Sequence, residues 1–281
     1  MSDSSSWGTL YVVATPIGNL EDITLRAIRI LKEVDLVAAE DTRHSRKLFN
    51  HYAIATPLTS CFEHNEASKG DYLISLMQQG KSIALISDAG TPAISDPGSL
   101  LVQRCCELGV KVAPVPGPSA CISALSMAGL PTRRFLFAGF LPPKSGARGR
   151  ELSQYSNNQL TIVFYEAPHR LLNTLRDIIS VFGAKKELAV TRELTKVHEE
   201  LFRGSAAAAL EHFSQTRVRG EIVLLLAPAP EEPVAETIEE SLQRLEAESS
   251  LPPKEIVKQV AKLHGVSGSE VYKIALNLKN R

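Results

Sequence analysis

The feature that most constrains this chain is the alternation, between residues 10 and 127, of short apolar runs with stretches of helical spacing. The runs 10–14, 35–39, 82–86 and 110–115 are too short for helices, and each ends in polar or turn-forming residues. Between the first two lie Leu25, Ile28, Leu31 and Val34, a stripe with the spacing of a helix that Asp22 or Thr24 can cap. A basic helix through Arg43, Arg46 and Lys47 follows the second run, and residues 59–67 read as a loop. Helices are expected at 67–79, 100–108 and 119–127. Strands alternating with helices predict a largely parallel, doubly wound sheet.

In such a sheet the ligand edge lies at the carboxyl ends of the strands. Residues 15–19, 40–43, 87–98 and 116–120 fall there, bringing Glu40, Asp41, Arg43, Asp88 and Asp96 to one edge. The segment 87–98, SDAGTPAISDPG, is too polar for a core and too rich in Gly and Pro for a helix. Taken alone it could be a double turn in which Asp and Ser bond their own backbone. Gathering carboxylates at one edge is not needed for turns, and it marks a binding site.

The second half starts with a strand at 135–140 and a polar loop, PPKSGARGR, carrying Lys144, Arg148 and Arg150. Strands at 160–165, 187–191, 199–203 and 221–226, with helices at 168–182 and 206–213, predict a second, mixed sheet. An acidic segment follows. Two short basic helices, 253–264 and 269–278, then meet at Gly265, with Ala261 four residues earlier, as in a helix-turn-helix. The expected organisation is two α/β domains, 8–130 and 131–228, with a ligand cleft between them and a small C-terminal helical domain, 229–281.

With 31 basic and 31 acidic side chains, the chain has no overall positive field, so any nucleic-acid contact must use local patches. Cys61, Cys105, Cys106 and Cys121 form no CxxC pair and no metal-ligand spacing, which suits a reducing compartment. No metal site is expected. The N-terminus lacks a signal pattern and no apolar run spans a membrane, so a soluble, cytoplasmic protein is expected. Dinucleotide and P-loop fingerprints are missing.

Several motifs carry a resemblance: ATPIGNLEDIT (14–24), AAEDTRH (38–44), EHNE (63–66), SDAGTPAISDPG (87–98), PVPGPSA (114–120), FYEAPHR (164–170) and RELTKVHEE (192–200). In this order they resemble the tetrapyrrole methylase superfamily, and within it the branch that acts on ribosomal RNA. The resemblance implies S-adenosylmethionine as cofactor and 2′-O-methylation of a cytidine ribose in the decoding region of 16S rRNA, in the small subunit. It also implies a homodimer.

By position it assigns cofactor contacts to Pro16, Ala89, Gly90, Thr91, Ile94, Ser119, Ala120, Tyr165, Glu166 and Gly204. Asp88 or Asp96 could offset the sulfonium charge, and the hydroxyl proton could pass to Asp88, Glu40, Asp41, Glu66 or His64. Asp41 could equally cap the helix that begins beside it. Arg43, Lys144, Arg148 and Arg150 are the expected RNA contacts, with Lys254, Lys258 and Lys262 as a second group. Two other functions remain open: a tetrapyrrole C-methyltransferase of the same fold, and a non-catalytic RNA-binding assembly factor.

Overall fold

The structure is a computed structural model and describes residues 7–62, 66–215, 217–229, 236–249 and 251–279. The chain divides into two compact units, Met1–Ala229 and Pro230–Arg281. The first unit is built on two five-stranded sheets.

Strands β1 (Leu10–Val13), β2 (Leu36–Ala39), β3 (Leu58–Ser60), β4 (Ile83–Ile86) and β5 (Val112–Val115) form the first sheet. Their order is β3-β2-β4-β1-β5, and every pairing is parallel. All four residues of β4 are buried, as expected for a strand covered on both faces. Ala84 and Ile86 pack on one face with Val13 and Val37, while Ile83 and Leu85 pack on the other with Leu10 and Ala38. The covering helices are α1 (Leu25–Glu33), α2 (Thr42–His51), α3 (Glu66–Gln78), α4 (Ser99–Glu107) and α5 (Ala120–Met127).

Two expectations are revised here. The start of the expected loop is the edge strand β3, which pairs with β2 alone. Around α1, Leu31 and Val34 enter the core as expected, whereas Leu25 is 86% exposed and Ile23, Ala27 and Ile30 are buried beside them. Of the two candidate caps, Thr24 is the one used, accepting from the Ala27 N–H.

The second sheet contains β6 (Phe135–Phe140), β7 (Thr161–Glu166), β8 (Glu187–Arg192), β9 (Glu200–Ser205) and β10 (Ile222–Leu226), in the order β6-β7-β10-β8-β9. Only β6 and β7 run parallel, so the sheet is mixed. Helices α6 (Ser145–Ser153), α7 (Leu171–Phe182) and α8 (Ala206–Ser214) contribute Leu152, Leu175, Ile178, Ala209 and Phe213 to the core on one face. Its other face packs Val163, Ala189, Val223 and Leu225 against Ile17 and α5 residues Cys121, Ala124 and Leu125. That shared layer fixes the two sheets relative to each other.

Helix α6 stands where a polar loop was expected. Arg148 is 2% exposed, its guanidinium held by Asp177 at 2.6 Å and donating to the Pro142 and Pro143 carbonyls. The whole fork is thus consumed inside the protein, and Arg148 is not a surface cation.

Among its described residues, the second unit has three helices, α9 (Ile238–Glu248), α10 (Pro253–His264) and α11 (Gly268–Lys279). Leu242, Ile256, Val260, Ala261 and Val271 make its core. Thr237 and Glu240 form a reciprocal capping box at the start of α9. Gly265 ends α10 with φ 66°, a left-handed cap that suits glycine. The expected helix pair is therefore present, packed with the acidic helix that precedes it.

Candidate active site

Strand order decides where the site forms. β1 and β4 are neighbours, but the chain passes from β1 beyond β4 to β2 and from β4 beyond β1 to β5, so the connections diverge at their carboxyl ends and open a crevice there. Thr15 and Gly90 bridge the loops after β1 and β4, exchanging backbone hydrogen bonds of 2.8 and 3.0 Å. Thr15 Oγ1 also donates to the Ser87 carbonyl, and Thr91 Oγ1 donates to the Pro118 carbonyl beyond β5. Within 87–98, Ala93 and Ser95 take left-handed φ values of 66° and 62°. Non-glycine residues there carry strain of about 1–3 kcal/mol each, a feature that clusters at binding sites.

These loops face the second sheet across a cavity of about 820 Å³, a size suited to a cofactor. Ala89, Gly90, Thr91, Ile94, Ser119 and Ala120 line one side, and Tyr165 and Glu166 line the other. Eight of the ten expected cofactor contacts therefore face one cavity. Gly117 approaches so closely that an added Cβ would sit 3.1 Å from Ala14 Cβ. Phe137 and Phe140 surround Tyr165 edge-on at 4.9 and 5.6 Å, and Phe140 remains exposed at the cavity. Burial pushes the Tyr165 hydroxyl up to about 12.

Two expected contacts lie elsewhere. Pro16 lines a separate, smaller cavity, and its neighbour Ile17 faces the large one. Gly204 is on β9, separated from β7 by β8 and β10, and it does not line the cleft. Gly220, just before β10, does. Glu166 lines the cleft but is buried and internally bonded: it accepts from the Thr174 hydroxyl at 2.5 Å and the Ala167 N–H at 2.8 Å, with Arg170 alongside at 3.1 Å. Its carboxylate supports the wall instead of offering free oxygens.

The candidate proton acceptors separate by position. Asp41 caps α2, accepting from the Arg43 N–H and pairing with its guanidinium, which holds the carboxyl well below the usual range. Asp88 accepts from the Asp41 N–H at 3.0 Å, and Glu40 accepts from the Asp88 N–H at 3.2 Å. The two loops are thereby tied by reciprocal bonds, and neither carboxylate lines the large cavity. Burial, and then the nearby Asp88 charge, raise the Glu40 carboxyl. His64 lies outside the described residues, and Glu66 opens α3.

Asp96 does line the large cavity. Burial, followed by the Glu40 charge, pushes its carboxyl up to about 6. Its place between two negative neighbours was not legible in sequence beyond its position in the loop. Among the expected RNA contacts, Arg43, Lys144 and Arg150 are exposed.

Residues 9–210 match the family model for Tetrapyrrole (Corrin/Porphyrin) Methylases. The chain belongs to the tetrapyrrole methylase family. Within the family, it is similar to proteins named Ribosomal RNA small subunit methyltransferase I. The Pseudomonas aeruginosa protein is 48% identical, covering 98% of this chain and 99% of its own. The one from Escherichia coli O157:H7 is 44% identical over 98% and 97%, respectively. A uroporphyrin-III C-methyltransferase from Thermus thermophilus, solved with S-adenyl homocysteine, shares this methylase's fold with a TM-score of 0.56 at 18% identity, covering 78% of this chain and 97% of its own. Diphthine synthase aligns with a TM-score of 0.60 at 11% identity, over 78% and 90%.

Proposed function

We propose that this protein transfers a methyl group from S-adenosylmethionine to the 2′-hydroxyl of a cytidine ribose in the decoding region of 16S rRNA, within the small ribosomal subunit. The observation that carries this reading is the large cavity, which combines small residues, an aromatic cluster and one half-buried carboxylate, Asp96. Near-full-length relatives named for small-subunit rRNA methylation support the substrate class. A homodimer acting in the cytoplasm completes the proposal. No described helix is long and apolar enough to cross a membrane.

The lining fits the cofactor. Ala89, Gly90, Gly117 and Ala120 leave room for close backbone approach, and Phe137 and Tyr165 offer apolar surface to a nucleoside. Ser119 makes no side-chain cap to α5, so N–H groups of the helix's first turn are available beside the cavity. Bound there, S-adenosylmethionine would supply an electrophilic methyl group on a positively charged sulfonium.

Asp96 would ionise more readily beside that positive charge and so stabilise binding. Once the charge is lost on transfer, its proton affinity returns toward the value set by burial, Glu40 and Asp88. The carboxylate is then suited to take the hydroxyl proton as it is released. Asp88 and Glu40 act through Asp96 and hold its loop. Lys144 and Arg150 would meet phosphates.

The test is transfer from labelled S-adenosylmethionine to 30S subunits lacking the modification, followed by nucleoside digestion. Label in 2′-O-methylcytidine is expected. Label on a base, transfer to uroporphyrinogen instead, or binding of 30S without any transfer would each overturn the proposal.

A further inference from the structure

A second cavity, of about 190 Å³, lies behind the loops that wall the first. Consecutive residues divide between the two: Pro16 and Asp88 face the smaller cavity, Ile17 and Ala89 the larger. Consecutive Cα atoms are about 3.8 Å apart, so the two spaces are separated by little more than the thickness of a loop. The smaller one is too confined for a second cofactor.

Its polar equipment is specific. Lys47 and His44, both exposed on α2, have no hydrogen-bond or ion-pair partner among the described residues. Asp88 uses Oδ1 for the Asp41 N–H and leaves Oδ2 without a hydrogen bond among the described residues. The hydroxyls of Thr15, Ser45 and Ser87 are already committed to the carbonyls of Ser87, Asp41 and Ala89. Among the described residues, what remains free there is one cation, one imidazole and one carboxylate oxygen, above an apolar floor that includes Leu48 and Ile86. A simple anion would meet Asp88 unfavourably. A sugar-phosphate unit would not, because its hydroxyl donates where its phosphate accepts.

We propose that this smaller cavity receives the ribose and phosphate of a nucleotide adjacent to the one being methylated, with Lys47 at the phosphate and Asp88 Oδ2 accepting from the sugar 2′-hydroxyl. His44 lies at the same opening and donates to the phosphate or the sugar. This deepens the rRNA reading of the large cavity and rests on it. Recognition of a 2′-hydroxyl here would also select RNA over DNA.

The experiment compares wild type with Lys47→Ala, Lys47→Arg and His44→Ala, all at exposed positions, using unmodified 30S subunits. Three quantities are read: 30S affinity by filter binding without cofactor, its dependence on salt, and S-adenosylmethionine affinity by titration calorimetry. For Lys47→Ala, 30S affinity should fall about 5- to 20-fold, and the log–log salt slope should decrease by about 0.7 to 1, the loss of one phosphate contact. Arginine at the same position should restore most of the affinity, and His44→Ala should lose about 2- to 5-fold. Cofactor affinity should stay within about twofold throughout. Unchanged 30S affinity and salt slope in Lys47→Ala would overturn the proposal, as would a loss of cofactor affinity instead. If wild type itself fails to bind 30S, the rRNA reading falls first, and that result is distinguishable from variants that bind as wild type does.

Discussion

The segments 87–98 and 142–150 look alike as sequence: both are rich in Gly and Pro, polar, and charged. In the structure they behave oppositely. The first remains an irregular loop with two left-handed non-glycine residues, and it turns Asp96 toward the cavity. The second ends in a regular helix whose central arginine is buried against Asp177, 29 residues away. Polar composition shows that side chains need partners. It does not show whether the partner is a ligand or another part of the chain.

Arg148→Ala should sharpen this contrast most. Removing one member of a buried pair leaves Asp177 uncompensated, at a cost of about 3–5 kcal/mol. Chemical denaturation should show this loss, while the salt slope of 30S binding stays unchanged. A reduced salt slope with unchanged stability would return Arg148 to the RNA surface.

Gly98→Ala probes the other segment. Its φ of 116° and a Cβ that would sit 2.5 Å from Leu85 Cδ2 leave no room for a side chain. A loss of about 3 kcal/mol is expected, from backbone strain together with overpacking. Cofactor affinity should fall with it, because this residue anchors the loop to α4.

Asp96→Asn should do the reverse for stability. The folded carboxyl, at about 6, lies above its ordinary value. The unfolded chain therefore releases this proton at lower pH, and stability from this group falls as pH rises through the window between about 4 and 6. Removing the charge should stabilise the protein at pH 7 on the order of 1 kcal/mol, the partial exposure reducing the effect. Denaturation midpoints at pH 4 and pH 7 check the sign. The smallest effect belongs to Lys144→Ala, within about 0.5 kcal/mol in stability, with 30S affinity reduced about 3- to 10-fold as for one lost phosphate contact.

The parallel sheet was legible because its strands are short apolar runs ending in turn residues, and because the helices between them have caps such as Thr24 and Asp41 close in sequence. Edge strand β3 was not: three residues paired on one side need no apolar pattern. The stripe starting at Leu25 placed Leu31 and Val34 in the core but missed Ala27 and Ile30, since steps of three drift away from a 3.6-residue turn. Eight of the residues that the family resemblance assigned to the cofactor line the large cavity, and those from the first sheet lie at strand ends, where the strand pattern already placed a site. Gly204 and Gly220 could not be told apart that way, because the order β10-β8-β9 decides which of them reaches the cleft. The Asp96 environment depends on Glu40 and Asp88, brought together by the pairing of β2 with β4.

In the proposed reaction, Asp96 is the carboxylate through which this cleft binds the cofactor and receives the proton. The direct measurement is kcat/KM for methyl transfer to unmodified 30S subunits, from pH 5 to pH 8, in wild type and Asp96→Asn. Wild type should show an acid limb with its midpoint below about 6, the bound sulfonium favouring the carboxylate, and the variant should be at least about 100-fold less active across the range with that limb absent. A variant within twofold of wild type, retaining the same acid limb, would contradict the claim.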